Sequence, residues 1–199
     1  MMKVLIIGEN SYIGNHLKDY LEQFQFTNDP WNVDKVGAVN EKWKQKDFRG
    51  YDCVIQMAAI VHRREKKNME ELYTAINRDM TVAIAKKAKE SGVRQFVFMS
   101  TMAVYGSDVS RITRTTIPCP STFYGKSKYE AEQRIKELET DDFKIAIVRP
   151  PMVYGQGCKG NYEKLNKLSK LIWVFPDYHN RRSTIHIEAL CEHLYSIIK

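Results

Sequence analysis

Four short segments of this chain are apolar on nearly every residue, with stretches of helical spacing between them. They are Lys3–Ile7, Cys53–Met57, Gln95–Ser100 and Lys144–Arg149. A strand covered on one face alternates apolar and polar residues, so an unbroken apolar run of this length marks a strand covered on both. A weaker strand is expected over Val33–Val39. Helical patterns occupy Gly14–Phe24, Met69–Ser91, Tyr124–Glu139 and Tyr162–Leu171, while Gly106–Pro120 reads as a loop. Strand and helix in alternation specify βαβ crossovers, hence an α/β fold with a doubly wound parallel sheet. Ligands of such sheets sit at the carboxyl ends of the strands.

With 199 residues, 43% of them hydrophobic and 28% charged, the chain can bury a one-domain core and lacks the composition of a disordered segment. No apolar run is long enough to cross a bilayer. Met1–Gly8 reads as a first strand rather than a leader, so no membrane partner and a cytoplasmic location are expected. Cys53, Cys119, Cys158 and Cys191 form no C-x-x-C pair, which predicts reduced thiols and no metal site. The formal charge of +7 is spread along the chain, and its densest clusters, at 63–67 and 86–90, each contain an acid. They accompany no nucleic-acid-binding motif and read as solvated faces; no nucleic-acid partner is expected.

Two segments carry chemistry. The first strand runs into Gly8-Glu9-Asn10-Ser11-Tyr12-Ile13-Gly14 and then a helix. A dinucleotide pyrophosphate needs a tight turn, close backbone approach and a helix N-terminus. Gly8 and Gly14 suit the turn and the helix–strand packing, while Ser11 stands where a third glycine is usual. Taken alone, the segment also serves an ordinary strand–helix turn. The second segment, Tyr124-Gly125-Lys126-Ser127-Lys128, opens a helix on which Tyr124 and Lys128 share a face. An ammonium beside a phenol favours the phenolate, a base able to take a proton from an alcohol. Tyr195 and Lys199 have the same spacing but follow no strand that ends in hydroxyls. Ser100 and Thr101 stand at the end of such a strand, ahead of Tyr124.

In this order, from Lys3 to about Leu190, the motifs resemble the extended short-chain dehydrogenase/reductase family of NAD-dependent nucleotide-sugar epimerases and dehydratases. The resemblance implies a Rossmann-like sheet. Gly8–Gly14 is similar to the family's glycine-rich turn, with Ser11, Tyr12 and Ile13 on the cofactor. Met57-Ala58-Ala59 is similar to the strand end beside the cofactor, and Asn77 to an asparagine of the next helix. Thr101, Tyr124 and Lys128 fall on the catalytic set, with Ser100 and Lys128 also on the cofactor. Arg149–Gly155 resembles the segment that passes from cofactor to sugar nucleotide, and Arg182 an arginine that meets substrate phosphate.

The resemblance also implies NAD as the cofactor, with NADP left open. It implies a nucleotide sugar as the partner, and a homodimer through the Met69–Ser91 and Tyr124–Glu139 helices. In the cycle that it implies, Tyr124 removes a sugar hydroxyl proton while the carbon bearing it gives hydride to the nicotinamide, through a transient 4-keto intermediate. Thr101 hydrogen-bonds the reacting oxygen and Lys128 holds the nicotinamide ribose. His62 and His186 are read as structural or loop histidines.

Departures from the family pattern refine this reading. Asn40, at the end of the weak strand, stands where an acid normally reads the ribose 2′-hydroxyl. Asp47 is a second candidate for the adenosine end but reads as a solvated loop acid. Met102 and Ala103 replace the acidic pair of the dehydratases, which argues against sugar 4,6-dehydration. Lys159 and Asn161 are left as polar substrate contacts. A boundary at Pro150-Pro151 gives a nucleotide-binding domain over 1–150 and a small, incomplete substrate lobe over 151–199. The expected function is an NAD(P)-dependent nucleotide-sugar epimerase of polysaccharide biosynthesis. The alternatives are an NAD(P)H-dependent 4-keto-sugar reductase and a non-catalytic nucleotide-binding scaffold.

Overall fold

The computed structural model describes residues 1–24, 30–38, 41–60, 69–158, 161–171 and 181–199, with the side chains at 161, 163, 164 and 167 left aside. The apolar runs become strands β1 (Met2–Ile7), β3 (Cys53–Gln56), β4 (Gln95–Met99) and β5 (Lys144–Val148), joined by β2 (Trp31–Val36). All five are parallel, in the order β2-β1-β3-β4-β5. Successive side chains leave opposite faces of a strand. Val4 and Ile6 of β1 therefore enter one core layer and Leu5 and Ile7 the other. All four are fully buried, the physical reason that the run has no polar interruption.

One face is covered by α1 (Tyr12–Glu22), through Leu17 and Leu21, and by α7 (Ile187–Ile198), through Leu190, Cys191 and Leu194. The opposite layer takes Trp43 of the short α2 (Lys42–Gln45), Ile84, Ala85 and Ala88 of α4 (Met80–Glu90), and Ala131 and Ile135 of α5 (Phe123–Lys136). The helix expected over Met69–Ser91 is a composite. It begins as α3 (Glu70–Tyr73), widens into a π-helical stretch over Thr74–Asp79, and continues as α4. β6 (Met152–Tyr154) and β7 (Thr184–His186) form a separate parallel pair, and α6 (Asn161–Ser169) lies between them in the chain. These three-residue strands are too short to show a period in the sequence. The loop expected over Gly106–Pro120 holds no helix or strand. Among the described residues, no helix is long and apolar enough to cross a membrane.

β2 ends earlier than the expected Val33–Val39 run. Its last ladder pair is Ile7 with Val36, so the residue leaving the strand end is Gly37 and not Asn40. Residues 39–40 lie outside the described residues. From β1 the chain crosses to β2 on one side and later reaches β3 on the other, which makes the β1–β3 boundary the switch point at which a crevice opens.

α7 lies beyond residue 150 yet packs on α1 and the sheet. Tyr195 stacks on Phe24 with ring centroids 5.0 Å apart and sits 5.3 Å from Trp31, in an aromatic cluster on that layer. Leu194 is fully buried there. Leu194→Ala should lower stability by about 2–5 kcal/mol, the usual cost of a leucine-sized cavity. Urea unfolding measures this, and a loss below ~1 kcal/mol would contradict a docked α7.

Candidate active site

The strand ends are level. Ile7 pairs with both Val36 and Gln56, and Gln56 pairs with Phe98. Gly8 leaves β1 at φ +126°, a conformation that side chains other than glycine's rarely adopt, and its N–H donates to Val36 O at 2.8 Å. A Cβ at Gly8 would lie 3.2 Å from the Ala58 nitrogen, and one at Gly14 would lie 3.2 Å from Ile6 and Met57 side-chain atoms. Helix α1 thus starts tight against β1 and β3. Ser11 caps it: its Oγ accepts from Gly14 N at 3.1 Å. The hydroxyl that replaces the third glycine has a structural task, satisfying one of the free amides of the first turn.

Two cavities meet at Ser11, Tyr12, Met57 and Ala59. One, of about 340 Å³, runs past Gly8, Glu9, Gly37, Ala38 and Ala58. The other, of about 510 Å³, runs past Ile13, Ser100, Thr101, Tyr124, Lys128, Pro150–Val153 and Arg182. A third, of about 620 Å³, continues from Ala38, Ala58 and Ala59 between α2 and α4, against Trp43, Ile76, Met80 and Ala83. It is the largest of the three, but the convergent polar groups line the second.

Helix α5 brings its chemistry to that cavity by close packing. Thr122 caps it, accepting from Gly125 N at 3.0 Å. A Cβ at Gly125 would lie 2.6 Å from Ala103 O, so only glycine lets the helix start come this close to the turn after β4. That turn is a 3-10 helix over Met102–Tyr105, whose Ala103 N donates to Thr101 Oγ1 at 3.2 Å. Thr101, Tyr124 and Lys128 come together on one cavity wall.

Their electrostatics differ from the sequence expectation. Lys128 Nζ donates to Met99 O at 2.7 Å and lies 4.5 Å from the centre of the Phe98 ring. Burial pulls this ammonium down to about 7, against the pull of the Glu132 carboxylate. Burial likewise raises the Tyr124 phenol, which its hydrogen bond with Thr101 opposes and nearby Tyr73 reinforces. The expected lowering of Tyr124 by Lys128 is absent because desolvation dominates both groups and the ammonium is turned to the Met99 carbonyl. The resting phenol is protonated at neutral pH.

Sequence reasoning misses Glu132. It lies eight residues after Tyr124 and four after Lys128, on the same helix face. Its fully buried carboxylate accepts from Ser100 Oγ at 2.5 Å and from Arg149 Nε and Nη2 at 2.9 and 2.5 Å. Arg149 also donates to Tyr105 OH at 2.6 Å. One ion pair therefore ties α5 to the ends of β4 and β5 and to the 3-10 turn. The helical spacing with Tyr124 and Lys128 is the signal that could have found it.

Asn77 lines none of these cavities. Its amide accepts from Ile60 N at 2.9 Å and donates to Ile60 O and Ser127 Oγ, both at 3.2 Å. It clamps the segment after β3 to α5. Asp47 pairs with Arg49 at 2.7 Å on the surface, in keeping with a loop acid. His186 lies 5.2 Å, ring to ring, from Tyr154. Lys159 and His62 lie outside the described residues, and Asn161 opens α6.

A lysine side-chain NMR titration should show one residue with a midpoint near about 7, absent in Lys128→Met. It should be cationic below that pH and neutral above it. A Lys128 midpoint in the ordinary range of about 10 would contradict its desolvation.

A family model described as "Epimerase: NAD dependent epimerase/dehydratase family" matches residues 4–192. Among curated relatives, a UDP-glucose 4-epimerase of Vibrio cholerae is 28% identical over 98% of this chain and 66% of its own. An N-acetyl-alpha-D-glucosaminyl-diphospho-ditrans,octacis-undecaprenol 4-epimerase of Escherichia coli O157:H7 is 26% identical over 82% of this chain and 53% of its own. The chain thus spans between about half and two thirds of the length of these relatives. DesIV, a dTDP-glucose 4,6-dehydratase from Streptomyces venezuelae solved with NAD and TYD bound, shares the fold at a TM-score of 0.81. It is 20% identical, over 99% of this chain and 72% of its own. UDP-glucuronic acid 4-epimerase from Bacillus cereus, solved with UDP-glucuronic acid and NAD, gives 0.77 at 21% identity, over 100% and 73%. With its motifs in order along a matching sheet and the family model covering nearly its whole length, the chain belongs to the NAD-dependent epimerase/dehydratase family.

Proposed function

We propose that this chain forms the NAD-binding and catalytic part of a nucleotide-sugar 4-epimerase serving polysaccharide biosynthesis. One observation carries the reading: Thr101, Tyr124 and Lys128 line a cavity whose other side is the glycine turn and the start of α1. The cleft suits NAD. Backbone can approach a pyrophosphate closely at Gly8, which has no Cβ, beside amides of the α1 N-terminus. The apolar cavity beyond Ala58 and Ala59 suits a flat adenine. Bound there, NAD supplies a hydride acceptor.

The chain's own residues handle the proton. Thr101 hydrogen-bonds the reacting sugar oxygen and Tyr124 takes its proton, which requires the phenol to lose its own first. Lys128 donates to the ribose. Arg182, an exposed residue on the cavity lining, suits the substrate phosphates. Met102 and Ala103 offer no acid for a leaving hydroxyl, in line with epimerisation rather than dehydration. A homodimer through the face where α3 and α4 meet α5 accompanies this reading.

The protonated resting state of Tyr124 favours a second reading, 4-keto-sugar reduction, in which the phenol donates to the keto oxygen. The two differ in pH sign and in cofactor balance. An epimerase needs the phenolate, so its turnover should rise with pH above neutral, with no net change in nicotinamide absorbance. A reductase needs the phenol, so its turnover should hold level through neutral pH, fall only as pH rises through the raised Tyr124 value, and consume NADH.

Tyr124→Phe should keep the fold and NAD binding and lower turnover by ~10²–10⁴-fold, the usual reach of general acid–base catalysis. Lys128→Met should weaken NAD binding, and Tyr195→Phe should leave the chemistry intact. Assays of this protein on UDP-sugars read these outcomes. Full activity of Tyr124→Phe would contradict the assignment. Gly8→Val, its fold checked by circular dichroism, should abolish NAD binding in calorimetry, and unchanged affinity would refute the site.

A further inference from the structure

The residue leaving the end of β2 is Gly37, which has no side chain with which to read a ribose. The space beside it is filled nonetheless. A Cβ at Gly37 would lie 2.8 Å from Glu9 Oε1 and 2.9 Å from its carboxyl carbon. The carboxylate of Glu9, two residues past β1, thus occupies the volume that a strand-end side chain would take. The Gly8 N–H bond to Val36 O, at 2.8 Å, holds the turn and the strand end together. Glu9, Gly37 and Ala38 line the same cavity of about 340 Å³.

We propose that Glu9, from within the glycine turn, reads the adenosine ribose of NAD in place of a strand-end acid and sets the preference for NAD over NADP. The inference rests on the reading of this cleft as the NAD site. A carboxylate accepts strong hydrogen bonds from ribose hydroxyls and repels a 2′-phosphate. The remaining charges near it have the opposite sign. Lys42 Nζ lies 3.5 Å from Glu9 Oε1, and Lys35 Nζ lies 3.4 Å from Glu9 O while also donating to Asn15 Oδ1 at 2.6 Å. Without the Glu9 carboxylate, this corner presents two ammonium groups, which suit a phosphate. A single side chain therefore decides the sign of the subsite.

Calorimetric titration of the full chain with NAD and with NADP tests this without any turnover. Glu9→Gln keeps size and shape and should lower the NAD-over-NADP affinity ratio by about tenfold or more, as loss of a hydrogen bond to a charged group does. The double variant Glu9→Ala/Gly37→Asp should restore the ratio. The atoms nearest to a Cβ at Gly37 all belong to the Glu9 carboxylate, so removing them opens room for an aspartate. A wild type that binds neither dinucleotide would overturn the NAD site and this inference with it. NAD binding with a ratio unchanged in Glu9→Gln would overturn this inference alone.

Discussion

The carbonyl of Ile7 accepts hydrogen bonds from both Met57 and Ala58, each at 3.0 Å. That junction closes the β1–β3 ladder at the point where the strand order turns back, and the rest of the site is arranged around it. It brings Gly8 against Ala58, where a Cβ would lie 3.2 Å from the Ala58 nitrogen at a backbone conformation that other residues rarely adopt. It also sets α1 so that its N-terminus faces the crevice. The unbroken apolar runs matter because they bury β1 and β3 on both faces, where close packing in two core layers holds them in place.

The reacting half of the site depends on a buried charge. Glu132 has lost its water and is compensated by Arg149 and Ser100. Removing one partner of such a pair strands the other charge and typically costs about 3–5 kcal/mol, whereas a well-packed apolar pair would be no less stable. The pair also joins separate elements of the site. It fixes α5 to the strand ends that carry Thr101 and the Pro150–Val153 wall. The same carboxylate is the charge that opposes desolvation of Lys128.

Much of the fold is legible in the sequence because burial writes itself into composition. The four apolar runs are strands, and the segment at 106–120 is a loop. The tyrosine and lysine at helical spacing come to one cavity wall with Thr101. The rest depends on distances that no spacing encodes. The weak strand ends three residues earlier than its pattern suggests, which puts Gly37 where Asn40 is expected and brings Glu9 beside it. Ser11 looks like a defect in a glycine turn, yet its hydroxyl caps a helix. Asn77 matches a cofactor-side motif, yet its amide clamps Ile60 to α5. A local rule about neighbouring charges predicts a lowered Tyr124, and burial reverses it, because desolvation depends on the whole fold.

On the proposed reading, NAD lies across the β1–β3 switch point with its reacting end beside α5. Amide-resolved NMR of the protein during NAD addition tests it most directly. The predicted result is a contiguous set of perturbed amides running from Gly37 and Ala38 through Gly8–Gly14, Ala58 and Ala59 to Ser100, Thr101 and Lys128. Perturbations confined to another surface, such as the polar corner formed by Asp34, Asp47 and Arg49, or no perturbation at saturating NAD, would contradict it.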